Sequence, residues 1–171
     1  GTGTVGITAT GGTLNVNDTV QSGGAGTITL TATGATSDVV VATTKSVTSA
    51  GGNIAINAPR DITLAGTGTV ITSGTGTLTL RADSDSSGTG AINANNSATA
   101  IQAGTGLVTL LAAQGIGAGT TITNVTATNT ASGNISIVDT AGGLNVSTGG
   151  VNQTGTGTVG ITATGGTLNV N

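Results

Sequence analysis

The chain has 171 residues, a formal net charge of −3, 5% charged residues, 32 glycines, one proline, and no aromatic, cysteine, methionine or histidine residue. Three cations without a basic cluster cannot neutralise a phosphate backbone, and no ring is available for base stacking, so nucleic-acid binding is excluded. The absence of thiols rules out disulfides and thiolate metal sites, and no apolar run reaches the ~18 residues of a membrane helix.

From Gly3 onward a short unit recurs in which a glycine is followed by aliphatic residues at its third and fifth places. It begins at Gly3 (GTVGITA), Gly26 (GTITLTA), Gly52 (GNIAINA), Gly76 (GTLTLRA), Gly106 (GLVTLLA), Gly133 (GNISIVD) and Gly157 (GTVGITA). The intervals are 23, 26, 24, 30, 27 and 24 residues. The aliphatic pairs are Val5/Ile7, Ile28/Leu30, Ile54/Ile56, Leu78/Leu80, Val108/Leu110 and Ile135/Ile137. Small or polar residues separate the members of each pair, which is the period-two pattern of a strand with one buried face. No stretch sustains the 3.6-residue period of a helix.

A second apolar pair follows in each unit: Leu14/Val16, Val39/Val41, Ile62/Leu64, Ile92/Ala94, Ile116/Ala118 and Leu144/Val146. A third, single position falls at Val20, Val47, Val70, Ile101, Ile122 or Val125, and Val151. Three short strands separated by Gly-, Ser- and Thr-rich corners predict one turn of a three-sided coil. Such a turn has no partner within itself and buries its inward side chains only when another turn stacks on it. The pattern therefore predicts an all-β parallel β-helix with about six three-sided rungs per long repeat. At the usual strand spacing, six rungs advance the axis by roughly 29 Å. Glycine is expected at the corners because it accepts positive φ.

The long repeat is visible at the two ends. Gly1–Asn17, GTGTVGITATGGTLNVN, returns letter for letter at Gly155–Asn171, an offset of 154 residues. Residues 1–154 are read as one solenoid module and 155–171 as the start of the next identical module. The partners expected are identical repeats stacked end to end, and no cofactor is expected.

Candidate sites are few. Asp83-Ser84-Asp85-Ser86-Ser87-Gly88 matches the opening of a calcium loop, but the twelfth position is Ala94 and the chain contains no Glu, so Asp83 and Asp85 are a weak calcium candidate. They are also the only two carboxylates close together in sequence, without a His, Tyr or cationic cluster beside them, and no enzymatic activity is expected. The corner Arg81–Gly90 reads as a projecting polar loop. Asp139 replaces the usual alanine and is expected to bulge outward, because an unpaired buried carboxylate is costly. The outward place after the second core residue reads Thr8, Thr31, Asn57, Arg81, Leu111, Val138. Leu111 and Val138 would then stack as an apolar patch for lateral contact between fibres.

The Gly-x-aliphatic-x-aliphatic-x-Ala rungs, with Thr and Asn between, resemble the repeat regions of filamentous haemagglutinin-type exoproteins and the shafts of giant bacterial adhesins. The resemblance implies a right-handed parallel β-helix, a location outside the cell or on its surface, and a role as a filament, sheath or adhesin shaft. An adhesive stalk that binds glycans or neighbouring cells through its faces or the 81–90 loop is the alternative. The Asn-Pro motifs of the family's secretion domain and an Arg-Gly-Asp tripeptide do not occur.

Overall fold

The computed structural model describes residues 2–171; Gly1, the first letter of the repeated seventeen, lies outside the described residues. The chain is all β, with nineteen strands and no helix among the described residues. The strands form an eight-stranded and an eleven-stranded sheet, and neighbouring strands in both are parallel. The chain is a parallel β-solenoid.

Through the first five units each rung contributes to three faces. The first face stacks Val5–Thr10, Ile28–Thr33, Ile54–Ala58, Leu78–Ala82 and Leu107–Ala112. The register is Val5 on Ile28, Ile28 on Ile54, Ile54 on Leu78 and Leu78 on Val108. The second face stacks Leu14–Val16, Val39–Val41, Ile62–Leu64, Ile92–Ala94 and the start of Ile116–Thr121. The third stacks Val20–Ser22, Ser46–Ser49, Thr69–Thr72, Ile101–Gln102 and the end of Ile116–Thr121. The second and third faces are joined into one sheet because Ile116–Thr121 runs along both. Inside, Ile28, Leu30, Ile54, Ile56, Leu78, Leu80, Val108 and Leu110 are at most 1% exposed. Like stacks on like, so each rung closes the apolar surface of its neighbour. Val5 and Ile7 of the first rung are half-buried against the same core.

Corner glycines such as Gly24, Gly51 and Gly74 take positive φ as expected, as do the leading glycines Gly133 and Gly157, but four leading glycines have a different cause. Gly26, Gly52, Gly76 and Gly106 are absent from the positive-φ positions. A Cβ on Gly26 would meet the carbonyl oxygen of Gly3, and one on Gly52 that of Gly26; Gly76 and Gly106 meet Gly52 and Gly76 in the same way. Glycine is required because successive rungs approach through this column. Buried hydroxyls serve the same carbonyls: Ser22 Oγ donates to Gly3 O at 3.1 Å, Ser49 Oγ to Gly26 O at 3.0 Å and Thr72 Oγ1 to Gly52 O at 2.7 Å.

The three-sided plan breaks within the fifth unit: of its expected third positions, Ile122 lies between strands and Val125 lies on the first face, and in the sixth Leu144/Val146 and Val151 also fall on the first face. In the fourth rung the corner between second and third faces takes the residues from Asn95 to Ala100. In the fifth, Ala118 is still paired on the second face and Thr120 already on the third, with only Gly119 between. A Cβ at Gly119 would strike the carbonyl oxygen of Ser97, so the short cut needs glycine. The chain therefore arrives early, and Asn124–Asn129 lies on the first face, Val125 on Val108. First-face partners that are 23, 26, 24 and 30 residues apart in the lower rungs are 17 apart here. Ile135–Asp139 then falls on the second face, Ile135 on Ile116, instead of continuing the first-face column of Val108. Gly143–Gln153 takes the first face, with a register shift between Val125 and Ala127. Ile135 and Ile137 are buried, at 1% and 0%, but in the opposite sheet from the one expected. Beyond the fifth rung the described strands alternate between first and second faces, and the coil is two-sided.

Candidate functional site

The third face ends at Thr120–Thr121, and Asp139 lies directly above that end. Its side chain is 0% exposed, which corrects the expectation that it bulges outward. The carboxylate accepts hydrogen bonds from Thr120 Oγ1 at 2.9 Å, the Ile122 amide at 2.9 Å and the Ala141 amide at 3.0 Å. One rung down, the equivalent third-face amide, Ala103 N, bonds the carbonyl of the next rung, Thr121 O, at 3.2 Å. Asp139 Oδ1 supplies the acceptor that the missing third-face strand would have provided. The burial is tolerated because three donors converge on its two oxygens.

Asn129 has an equivalent role at a neighbouring corner. It is 0% exposed, accepts from the Gly115 amide at 2.9 Å and donates to Ser132 O, Gly133 O and Gln153 Oε1 at 2.8, 3.1 and 3.0 Å. Sequence reasoning missed it. The available signal was a polar residue at the inward parity of NVTATN, two places after Ala127.

Charge gathers at the corner between first and second faces. Arg60 donates to Asp38 through Nε at 2.8 Å and also through Nη2, and the Asp61 amide adds a 3.0 Å bond to Asp38 Oδ1. The Arg60 guanidinium thus holds the Asp38 carboxyl below the usual range, and Asp38 raises Arg60 in return. Asp61 Oδ1 accepts from the Ala91 amide one rung up at 2.8 Å. Carboxylates here tie rung to rung. Asp61 Oδ2 also lies 3.8 Å from Arg60 Nε, and a third ion pair, Lys45 with Asp18 at 3.4 Å, is on an exposed corner. The Asp18 carboxyl is lowered first by the Thr19 amide and then by Lys45.

Arg81 has no carboxylate partner among the described residues. It borders an open cleft of about 200 Å³. The cleft exists because the corner after Ala82 is long while the corner of the next rung, between Ala112 and Ile116, is short. Asp83 and Ser86 of the longer loop line the cleft together with Leu111 and Thr128 of the first face and Thr130. Both loop residues have left-handed backbone, φ 60° each, a conformation that costs a non-glycine residue energy and often marks functional loops. Asp83 Oδ1 closes the loop, accepting from Ser87 Oγ at 3.1 Å and the Gly88 amide at 3.0 Å. Asp85 Oδ1 accepts from the Ser87 amide at 3.3 Å. One carboxylate oxygen of each calcium candidate is thus engaged in loop closure, and no cluster of three metal-binding side chains occurs among the described residues.

Leu111 and Val138 are not brought together. On the first face Leu111 sits between Arg81 and Thr128. Val138 is paired with Gly119 and Thr162 in the other sheet and is 40% exposed. Their expected stacking assumed that the sixth unit continued the first face, and the short corner at Gly119 removes that premise.

No protein-family model, curated protein or solved structure matches this chain. Its function has to be argued from its own geometry.

Proposed function

We propose that the chain is a structural repeat module of a long extracellular bacterial fibre, a surface filament, sheath or adhesin shaft of the filamentous haemagglutinin type. The observation that carries this reading is the 17-residue identity at an offset of 154 residues, together with the way the second copy joins. Val159–Ala163 pairs in parallel on Ile135–Asp139, and Thr167–Val170 on Gly143–Gln153. This hydrogen-bonded ladder supports a boundary between units without a linker. A rod made this way resists bending because each rung is held to its neighbours by backbone bonds and a dry aliphatic column. Its partners are further copies of the same repeat, and its low charge leaves lateral packing to shape and hydroxyl contacts.

The test is a polypeptide of three 154-residue units viewed by electron microscopy and fibre diffraction. Straight, unbranched rods with a strong reflection near 4.8 Å along the axis are expected. Flexible beads, or a chain lacking that spacing, would sink the proposal. Surface labelling of intact cells with antibody to this chain checks the location; signal only after lysis counts against it. A second reading, an adhesive stalk, is favoured by one observation, the cleft at the Arg81–Gly90 corner.

A further inference from the structure

The geometry points to a binding site for a single carboxylated sugar, a uronic acid residue, in the cleft between the Arg81–Gly90 corner and the first face. Four features converge there. Arg81 is the one cation without an acidic partner among the described residues, and its planar fork matches a carboxylate in two parallel hydrogen bonds. Asp83 engages the loop only through Oδ1; its Oδ2 is left as an acceptor for a ligand hydroxyl. Thr128 and Thr130, which carry hydroxyls, also line the cleft. Leu111 adds an apolar lining at a place where the rungs on either side carry Arg81 and Thr128, suited to the C–H face of a sugar ring.

Size and charge narrow the class. About 200 Å³ lies below the ~300–1,000 Å³ of drug-sized sites, so one ring enters and an extended ligand contacts the site only at one residue. One arginine beside one aspartate makes the cleft neutral overall. A single carboxylate flanked by hydroxyls satisfies both groups, whereas a doubly charged phosphate or sulfate would face Asp83 unscreened. Asp83 Oδ1 ties the loop together through Ser87 Oγ and the Gly88 amide, which lowers the ordering cost of binding. The site is independent of the fibre reading: it lies within one unit and needs no neighbouring module.

The test is NMR titration of the 171-residue chain with D-galacturonate, following the Leu111 methyls and the Arg81 side-chain NH. Saturable shifts with a Kd on the order of 1 mM are expected for a ligand of this size. D-galactose, lacking the carboxylate, is expected to bind at least about tenfold more weakly, and Arg81→Gln to weaken galacturonate by a similar factor. Arg81→Lys should fall between, keeping the charge and losing the fork. Leu111→Thr, which restores the residue type of the surrounding column, should weaken both sugars together. Arg81 is exposed, so its variants are expected to keep the wild-type melting curve, separating lost binding from lost fold. No saturable shift with galacturonate, an unchanged Kd in Arg81→Gln, or equal binding of sodium sulfate would each overturn the assignment.

Discussion

In the first copy of the repeated seventeen residues, Val5–Thr10 lies on the first face and Leu14–Val16 on the second. In the second copy the equivalent segments have exchanged sheets. Val159–Ala163 lies on the second face over Ile135–Asp139, and Thr167–Val170 on the first over Gly143–Gln153. Identical letters therefore do not fix which side of the solenoid a strand occupies. A strand's own residues set only its parity, which side chains point in and which out. Its face is set by how many residues the preceding corners consumed, and the one-residue corner at Gly119 is where the count changes.

The largest effects should come from the core that separates the two copies. Ile56→Ala, at a fully buried site, is expected to cost about 2–5 kcal/mol in chemical denaturation. The same change at half-buried Ile161 of the second copy should cost well under half of that. Equal losses would mean that the second copy is packed as tightly as the middle rungs.

Glycine substitutions sharpen the comparison at a single letter. Gly3 has open space around its would-be Cβ, while Gly157, the same letter in the second copy, would drive a Cβ into the carbonyl oxygen of Gly133 and has φ 148°. Gly3→Ala is expected to be silent. Gly157→Ala should release the last rungs, seen as faster hydrogen exchange in Val159–Ala163, and Gly52→Ala should destabilise the whole stack by about 1–3 kcal/mol. A silent Gly157→Ala would place the second copy elsewhere.

Asp139 tests the exchange of faces directly. Asp139→Ala removes the acceptor for the Ile122 and Ala141 amides and the Thr120 hydroxyl, an expected loss of about 2–4 kcal/mol with the Ile122 amide losing protection first. Asp139→Asn keeps one oxygen and should fall between Ala and wild type. If Asp139→Ala matches wild type, the third face does not end where Asp139 sits.

The smallest effect is acid sensitivity at the lower, three-sided end. The Asp38 carboxyl is lowered by Arg60, so its contribution is present above the unfolded carboxyl value of about 3.9 and is lost as pH falls through the lower folded value. A modest drop in melting temperature below about pH 4 is expected, reduced in Asp38→Asn. An undiminished drop would move the acid sensitivity to another carboxylate.

The strands of the first four units were legible because alternation is a local property; in the fifth, neither Ile122 nor Val125 is the third-face position expected. A Val or Ile at every second place, with Thr or Asn between, has one stable arrangement, a strand with one face in the core. The rung-on-rung register of these units was legible too, since burial demands that aliphatic columns coincide, and Ile28, Ile54 and Leu78 do so. The glycine column was legible as a pattern but not as a cause: only the stacked backbones show that carbonyl oxygens leave no room for a Cβ. The cleft was half visible, as a polar corner; that Leu111 also lines it depends on the shorter corner one rung on.

What the residues by themselves determined is the solenoid: parity, unit length and the long repeat are all written in short-range spacing. What only the tertiary structure decided is the phase. The passage of Gly119 beside Ser97, the shift of Asn124–Asn129 to the first face and the burial of Asp139 over the end of the third all depend on contacts between rungs 17 to 22 residues apart in the chain. Hydrophobic alternation is indifferent to these contacts, because every face of the coil offers an inward side chain the same apolar core.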